Sequence, residues 1–285
     1  MAAMRGIPFS LLALIASMVN FSAARADDKD QYNLFNPTPR DLMREMSTDR
    51  PDKTESAYTV DAGHFQIEMD LATYSYRNDA GTKTRVTNIA PFNLKVGLLN
   101  HVDLQLVFEN YLNVRERNSA SGESQKQEGI GDLTSRLKVN LWGDDGGDSA
   151  LAVMPFVKFP TNSNGLGNDS YEGGVIFPLT LKLRESWALG VMTEIDVVRD
   201  DDDSGNHADF VNSASLSHDF DAAIGAYLEF YSLVSSEDSS DWVGTVDSGI
   251  TYGVNEDLQL DCGINVGVTS AADDLNPFVS LSWRY

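Results

Sequence analysis

Residues 275–285 (LNPFVSLSWRY) alternate strictly. Leu275, Pro277, Val279, Leu281, Trp283 and Tyr285 fall on one parity; Asn276, Phe278, Ser280, Ser282 and Arg284 fall on the other. A period of two gives a strand with one apolar and one mostly polar face. This strand stops on an aromatic residue, where soluble domains often end in a frayed polar tail. The same alternation recurs along the chain and predicts twelve strands, at 60–77, 84–97, 102–116, 130–142, 149–159, 171–183, 187–199, 208–219, 222–234, 241–252, 257–269 and 275–285. Val102, Leu104, Leu106 and Phe108, for example, oppose Asp103, Gln105 and Glu109.

An aromatic-ended terminal strand resembles the last strand of bacterial outer-membrane barrels, and the connections agree with that class. Long ones (77–84, 116–130, 159–171, 199–208, 234–241, 269–275) alternate with short ones (98–101, 143–148, 184–186, 219–221, 253–256). Outer-membrane barrels join their strands by short periplasmic turns and longer outer loops. Trp142, Trp187, Tyr252, Trp283 and Tyr285 fall near the short-turn ends and Trp242 near a long-loop end, as in the aromatic girdles of such barrels. The mean hydropathy of −0.26 fits a barrel, because half of the strand positions face a polar interior. No fixed-period repeat supports a propeller or β-helix. The predicted fold is an all-β antiparallel transmembrane barrel of about twelve strands.

The ends divide the chain further. Arg5, the apolar run 7–21 and Ala24-Arg25-Ala26 predict a signal peptide over 1–26. Residues 27–58 do not alternate and predict a polar periplasmic or plugging segment, with the barrel over 59–285. Within that segment Thr38 as cap, Pro39 at the first helical position and Asp41 in the first turn predict a short helix. The single cysteine, Cys262, excludes an intrachain disulfide and shares its parity with Leu260, Ile264 and Val266, on a buried or lipid-facing strand face.

A net charge of −22 argues against nucleic acid as a partner. Parity places Glu68, Asp70, Asp103, Glu109, Glu194, Asp196, Glu229, Asp247 and Asp261 inward as candidate lumen-lining acids, with Lys95, Arg136, Lys138, Lys158, Lys182 and Arg284 as inward bases. The bases cluster on the second and the fourth to sixth predicted strands; the acids dominate the seventh to eleventh. Opposed walls of that kind either set a transverse field in a pore or pair across the lumen and close it, and pairing is expected for most. Asp49-Arg50-Pro51-Asp52 reads as a rigid turn whose arginine is clamped by carboxylates. As an anchor, Asp49, Arg50 and Asp52 would hold the N-terminal segment in the lumen by pairing with wall charges; alternatively the segment is a periplasmic tail with local ion pairs.

The same stretch carries a family resemblance. Thr48-Asp49-Arg50-Pro51-Asp52, then Gly63-His64-Phe65-Gln66-Ile67-Glu68, then Gly131-Asp132-Leu133 and Lys158-Phe159-Pro160-Thr161 occur in the order seen in outer-membrane proteins named after the meta pathway of phenol degradation. The resemblance spans roughly 47–285 and implies an outer-membrane barrel of transporter type.

Catalysis finds no support: His64, His101, His207 and His218 lie near strand ends, and nothing marks Ser213 or Ser215, on the same strand as His207, as a nucleophile. No cofactor or resident metal is expected. The runs Asp200–Asp203 with Asp209, and Glu237-Asp238 with Asp241, lack the glycine-bearing pattern of a Ca²⁺ loop and read as solvated. The expected function is a channel for passive uptake of small solutes, aromatic or hydrophobic compounds among them. The alternative is a closed structural or surface-binding barrel with acidic outer loops. The expected partners are outer-membrane lipid, the barrel-assembly machinery, which would read Trp283 and Tyr285, and a small-molecule solute.

Overall fold

The computed structural model describes residues 29–200, 205–238 and 240–285. The expected signal peptide and Asp201–Asp203 lie outside them. The strand segments are β1 (Phe65–Asp79), β2 (Thr82–Ile89), β3 (Phe92–Leu99), β4 (Val102–Phe108), β5 (Tyr111–Asn118), β6 (Ser124–Gly129), β7 (Leu133–Trp142) and β8 (Ser149–Phe159). They continue with β9 (Glu172–Arg184), β10 (Trp187–Arg199), β11 (Asn206–Asp219), β12 (Ile224–Ser235), β13 (Val243–Asn255), β14 (Leu258–Gly267) and β15 (Leu275–Arg284). All pair antiparallel in one sheet, and β15 pairs with β1 to close it. Closure leaves the wall no open edge, the condition for a sheet to cross a bilayer.

Three strands of the wall are each built from two segments. β2 bends into β3 at Ala90-Pro91, β4 into β5 at Glu109-Asn110, and β6 into β7 across 130–132. Joined in this way, the segments form a closed barrel of twelve strands. The outer segments β2, β5 and β6 stack beside the outer half of β1 as a flap beyond the barrel wall.

The flap corrects two expected loops. The connection at 77–84 is a two-residue hairpin turn, with Ala80 at φ 46° and Gly81 at φ 90°, the mirror-type geometry that suits the twist of paired strands. The loop expected over 116–130 shrinks to 119–123. Most of β2 and β5 falls within the predicted strands 84–97 and 102–116; β6 carries polar residues on both faces, so hydrophobic alternation does not report it. The first strand also starts at Phe65 rather than near residue 60. Val60 is drawn inward instead, its N–H donating to Asp103 at 3.0 Å. The helix expected after Thr38 is only a 3₁₀ turn, Arg40–Leu42, with no side-chain cap. Thr38 is buried with its N–H on the Ala62 carbonyl at 2.9 Å, and Met43 is already extended.

The packing is inverted relative to a soluble domain. Leu216, Leu228, Ile250, Leu260 and Val279 stand exposed on the outer surface, while Glu68, Lys95, Asp103, Gln105, Lys138, Glu229 and Asp247 are buried inside. A small apolar cluster, Met154, Ile176, Met192 and Val211, fills one side of the interior. No helix is long and apolar enough to cross a membrane. Trp187, Tyr252, Trp283 and Tyr285 are exposed at the end bearing the short turns, and Trp242 at the end bearing the loops.

Candidate functional site: a charged loop inside the barrel

Residues 29–64 enter at the turn end. There Arg44 pairs with Asp61 at 3.1 Å and Asp144 at 2.7 Å, and Lys29 with Asp145 at 2.8 Å. Arg284, from the last strand, donates to Asp257 at 2.9 Å and to the Arg44 carbonyl at 2.7 Å. These contacts tie the segment to the rim. The chain then rises into the lumen and returns. The two limbs meet through Ser47 and Ser56, whose hydroxyls are 2.8 Å apart, and through the Ser56 N–H donating to Asp49 at 2.8 Å.

Apart from Asp52, the loop's charges mirror the walls. On the basic side Asp49 accepts from Lys138 at 2.6 Å and pairs with Lys95, which also pairs with Glu68. Burial alone would raise the Asp49 pKa, but Lys138 and Lys95 outweigh it and hold the carboxyl well below the usual carboxylate range. Glu55 takes Arg136 at 2.5 Å. On the acidic side Arg50 pairs with Asp70 at 2.5 Å and Asp261 at 3.5 Å, and lies over the Phe278 ring at 5.3 Å. Lys53 pairs with Asp247 at 3.0 Å. Glu229 accepts the backbone N–H groups of Lys53 at 2.9 Å and Thr54 at 2.8 Å. Asp52, belonging to the loop rather than to a strand, is half-buried near Glu229 and Ser215; desolvation first and the Glu229 charge second push its pKa up to about 8.

The other predicted lumen positions fall around this loop. Asp103 lies beneath it, on Val60. Glu109, Lys158, Glu194 and Asp196 are half-buried on its loop-end side, where Lys158 pairs with Glu172. Lys182 is exposed at the turn-end rim instead of inside; its strand reaches the mouth before its inward parity runs out. The expected pairing of opposite walls is also corrected: among the described residues the wall-to-wall ion pairs join neighbouring strands, such as β3 with β1 and β8 with β9, and pairing across the lumen passes through the loop. Sequence reading missed Lys53, Thr54 and Glu55 as anchors. The signal was available as charge: alternating acids and bases, Asp49, Arg50, Asp52, Lys53 and Glu55, opposite walls of both signs.

Asp200, His207 and Glu237 approach one another at the loop end, with His207 Nδ1 3.0 Å from Asp200 and 4.0 Å from Glu237. Ser213 lies far along β11 from His207 and bonds Thr54 at 2.7 Å, so the two do not form a dyad. A cavity of about 200 Å³ lies beside the inserted loop, lined among others by Arg50, Lys53, Glu55, Asp70, Asn93 and Arg136.

The family described as "Putative MetA-pathway of phenol degradation" matches residues 48–285, from the inserted loop to the last strand. The chain belongs to this family. Among solved structures, an outer-membrane channel from Pseudomonas putida F1 is similar over 84% of this chain and 100% of its own, with a TM-score of 0.59 at 14% identity. The transport unit of the autotransporter AIDA-I from Escherichia coli is similar over 84% of this chain and 92% of its own, with a TM-score of 0.50 at 11% identity. At such identities the likeness concerns the fold. No curated protein matches the chain. Membership of the phenol-degradation family thus joins a closed twelve-stranded barrel whose fold is similar to that of an outer-membrane channel.

Proposed function

We propose that this family member is a gated passive channel of the outer membrane, not an enzyme, with the turn end in the periplasm and the loop end outside. In this reading the inserted loop, anchored through Asp49, Arg50 and Asp52 together with Lys53 and Glu55, is its plug. The observation that carries it is the polarity of the loop: Asp49 and Glu55 face basic wall residues and Arg50 and Lys53 face acidic ones, Asp52 beside Glu229 being the exception. A barrel closed for structural reasons needs only contacts between its own walls. Here the lumen charges are neutralised by a segment that enters and leaves by the same mouth, so releasing it would open a hydrated path. Membership of a phenol-degradation family supports a small solute class that includes aromatic compounds. The cavity beside the loop, about 200 Å³, supports only a small solute, because it is smaller than ligand sites of about 300–1,000 Å³.

Planar-bilayer conductance tests the reading. Replacing residues 47–56 by a short glycine-serine linker should raise single-channel conductance several-fold, and liposomes bearing that variant should swell faster in small aromatic and sugar solutes. An assembled barrel whose conductance is unchanged by this replacement would make the chain a closed structural barrel.

A further inference from the structure

The flap concentrates positive charge on one face of a chain that has 43 acidic and only 21 basic residues. Register sets Arg85 opposite Arg115, and Arg115 opposite Lys126, in one row across β2, β5 and β6. The neighbouring row sets Lys83 opposite Arg117. Residues directly opposite on adjacent strands share a face, and like charges placed so repel. This face is the outer one: Arg85 is opposite Tyr76 on β1, and Tyr76 is opposite the exposed Leu275 on β15. Arg85, Arg115, Arg117 and Lys126 are exposed. Among the described residues Lys126 has Glu128 at 2.5 Å, while Lys83, Arg85 and Arg117 show no ion pair.

The position along the strands is as telling as the charge. Going outward on β2 this face presents Ile89, Thr87, Arg85 and Lys83; on β5 it presents Tyr111, Asn113, Arg115 and Arg117. Ile89 and Tyr111 are exposed and apolar or amphipathic, at the edge of the lipid-facing surface. At about 3.4 Å per residue, the cations stand roughly 13–20 Å beyond them. A level bearing Ile89 and Tyr111 side by side, followed by a row of cations, is the order met by a surface passing from acyl chains into anionic headgroups.

We propose that this face binds the phosphate groups of an outer-leaflet glycolipid, the diphosphorylated lipid A headgroup, with Arg85, Arg115 and Lys126 as the central row. The assignment rests on the outer-membrane orientation proposed above. It supplies the anion that the register leaves out, and Arg is suited to it because its planar fork binds phosphate through two parallel hydrogen bonds.

The test uses the full mature chain, purified in detergent and offered diphosphorylated lipid A, enzymatically dephosphorylated lipid A or inorganic phosphate, with retained lipid read by native mass spectrometry. The wild type should retain the diphosphorylated lipid, lose it on dephosphorylation, and yield little of it to millimolar phosphate. The triple variant R85Q/R115Q/K126Q should retain it on the order of tenfold less, while R85K/R115K holds most of it. Equal retention of phosphorylated and dephosphorylated lipid by the wild type would overturn the proposal, and this arm stands even if the triple variant does not assemble. Full displacement by inorganic phosphate would also overturn it, reducing the face to a nonspecific anion site. If conductance measurements reject the channel but lipid A is still retained through this row, only the plug reading falls.

Discussion

Asp49 takes Lys138 at 2.6 Å and, with its other oxygen, Lys95, so one carboxylate of the inserted loop satisfies two buried lysines from strands that are not neighbours. Removing that charge leaves both ammonium groups in the interior. Breaking a buried pair by deleting one partner costs roughly 3–5 kcal/mol. Asp49→Asn is therefore expected to lower the temperature at which the barrel loses its heat-modifiable gel mobility and to increase channel opening. The double variant Asp49→Asn/Lys138→Met should recover part of the stability, because it removes an uncompensated charge along with its partner. A double variant no more stable than the single one would show that Asp49 contributes by something other than charge.

The loop should respond to rising pH through Asp52. Its pKa of about 8 lies above its ordinary value of 3.8, because burial and the nearby Glu229 charge disfavour the ionised form. A group raised in this way contributes stability that is whole below about 4 and is lost as pH rises through about 8. Opening frequency is expected to rise from about pH 4 to about pH 8 and then level off. Asp52→Asn cannot ionise and should flatten that profile, matching wild type only at about pH 4. A variant with the wild-type pH profile would assign the response to another group.

Gly97 on β3 meets the returning limb of the segment. A Cβ there would stand 2.0 Å from the Asp61 carbonyl oxygen and 2.7 Å from that of Val60. Both are backbone atoms, held by Val60 on Asp103 and by the Gly63 N–H on the Gly97 carbonyl at 2.8 Å. Gly97→Val is expected to push residues 60–63 off the wall, at a cost of about 1–3 kcal/mol or more, and to expose the segment to added protease from the turn end. Full protease resistance would mean the limb has a second seat.

How far these features are legible in the sequence differs by element. The walls are legible because a sheet with lipid on one side and water or polar groups on the other must alternate; Val102 to Phe108 against Asp103 and Gln105 is such a record. The last flap strand, β6, is not, since Ser124, Gln125, Lys126, Gln127 and Glu128 are all polar and leave no apolar face to alternate. The start of β1 is misplaced for a related reason: Val60 and Ala62 look like strand residues, but their burial comes from packing at the mouth. Asp49, Arg50 and Asp52 are visible as a charged turn, whereas their partners depend on which strands face each other across the barrel, which only closure determines.

Cys262 offers a test of the lipid face with a native probe. It is exposed, and register places it between Ile250 on β13 and Val279 on β15, both also exposed. In proteoliposomes it is expected to react with a membrane-soluble maleimide and to resist a charged one, and a fluorophore attached there should be quenched by brominated acyl chains. Rapid labelling by the charged reagent in an assembled barrel would remove β13–β15 from the bilayer.

The closing seam makes the last prediction. Phe65 and Tyr285 exchange both backbone hydrogen bonds, at 3.1 and 2.8 Å, at the very start of β1 and just past the end of β15. Gln66, Ile67 and Glu68 then face Arg284, Trp283 and Ser282 in register. Deleting residues 282–285 removes this part of the ladder, leaves the start of β1 with unpaired backbone groups beside lipid, and takes away Arg284, which holds Asp257 and the Arg44 carbonyl at the mouth. The truncated chain is expected to fail to assemble and to be degraded. Tyr285→Ala keeps both backbone bonds and loses only the ring beside Trp283, 5.9 Å away, so its defect should be smaller and visible mainly as slower assembly. Arg284→Ala separates the two roles: the seam stays whole, so the barrel should form, but the N-terminal segment should loosen at the mouth. A truncated chain that still yields a heat-modifiable barrel in the membrane would show that closure does not depend on this end of the β1–β15 pair.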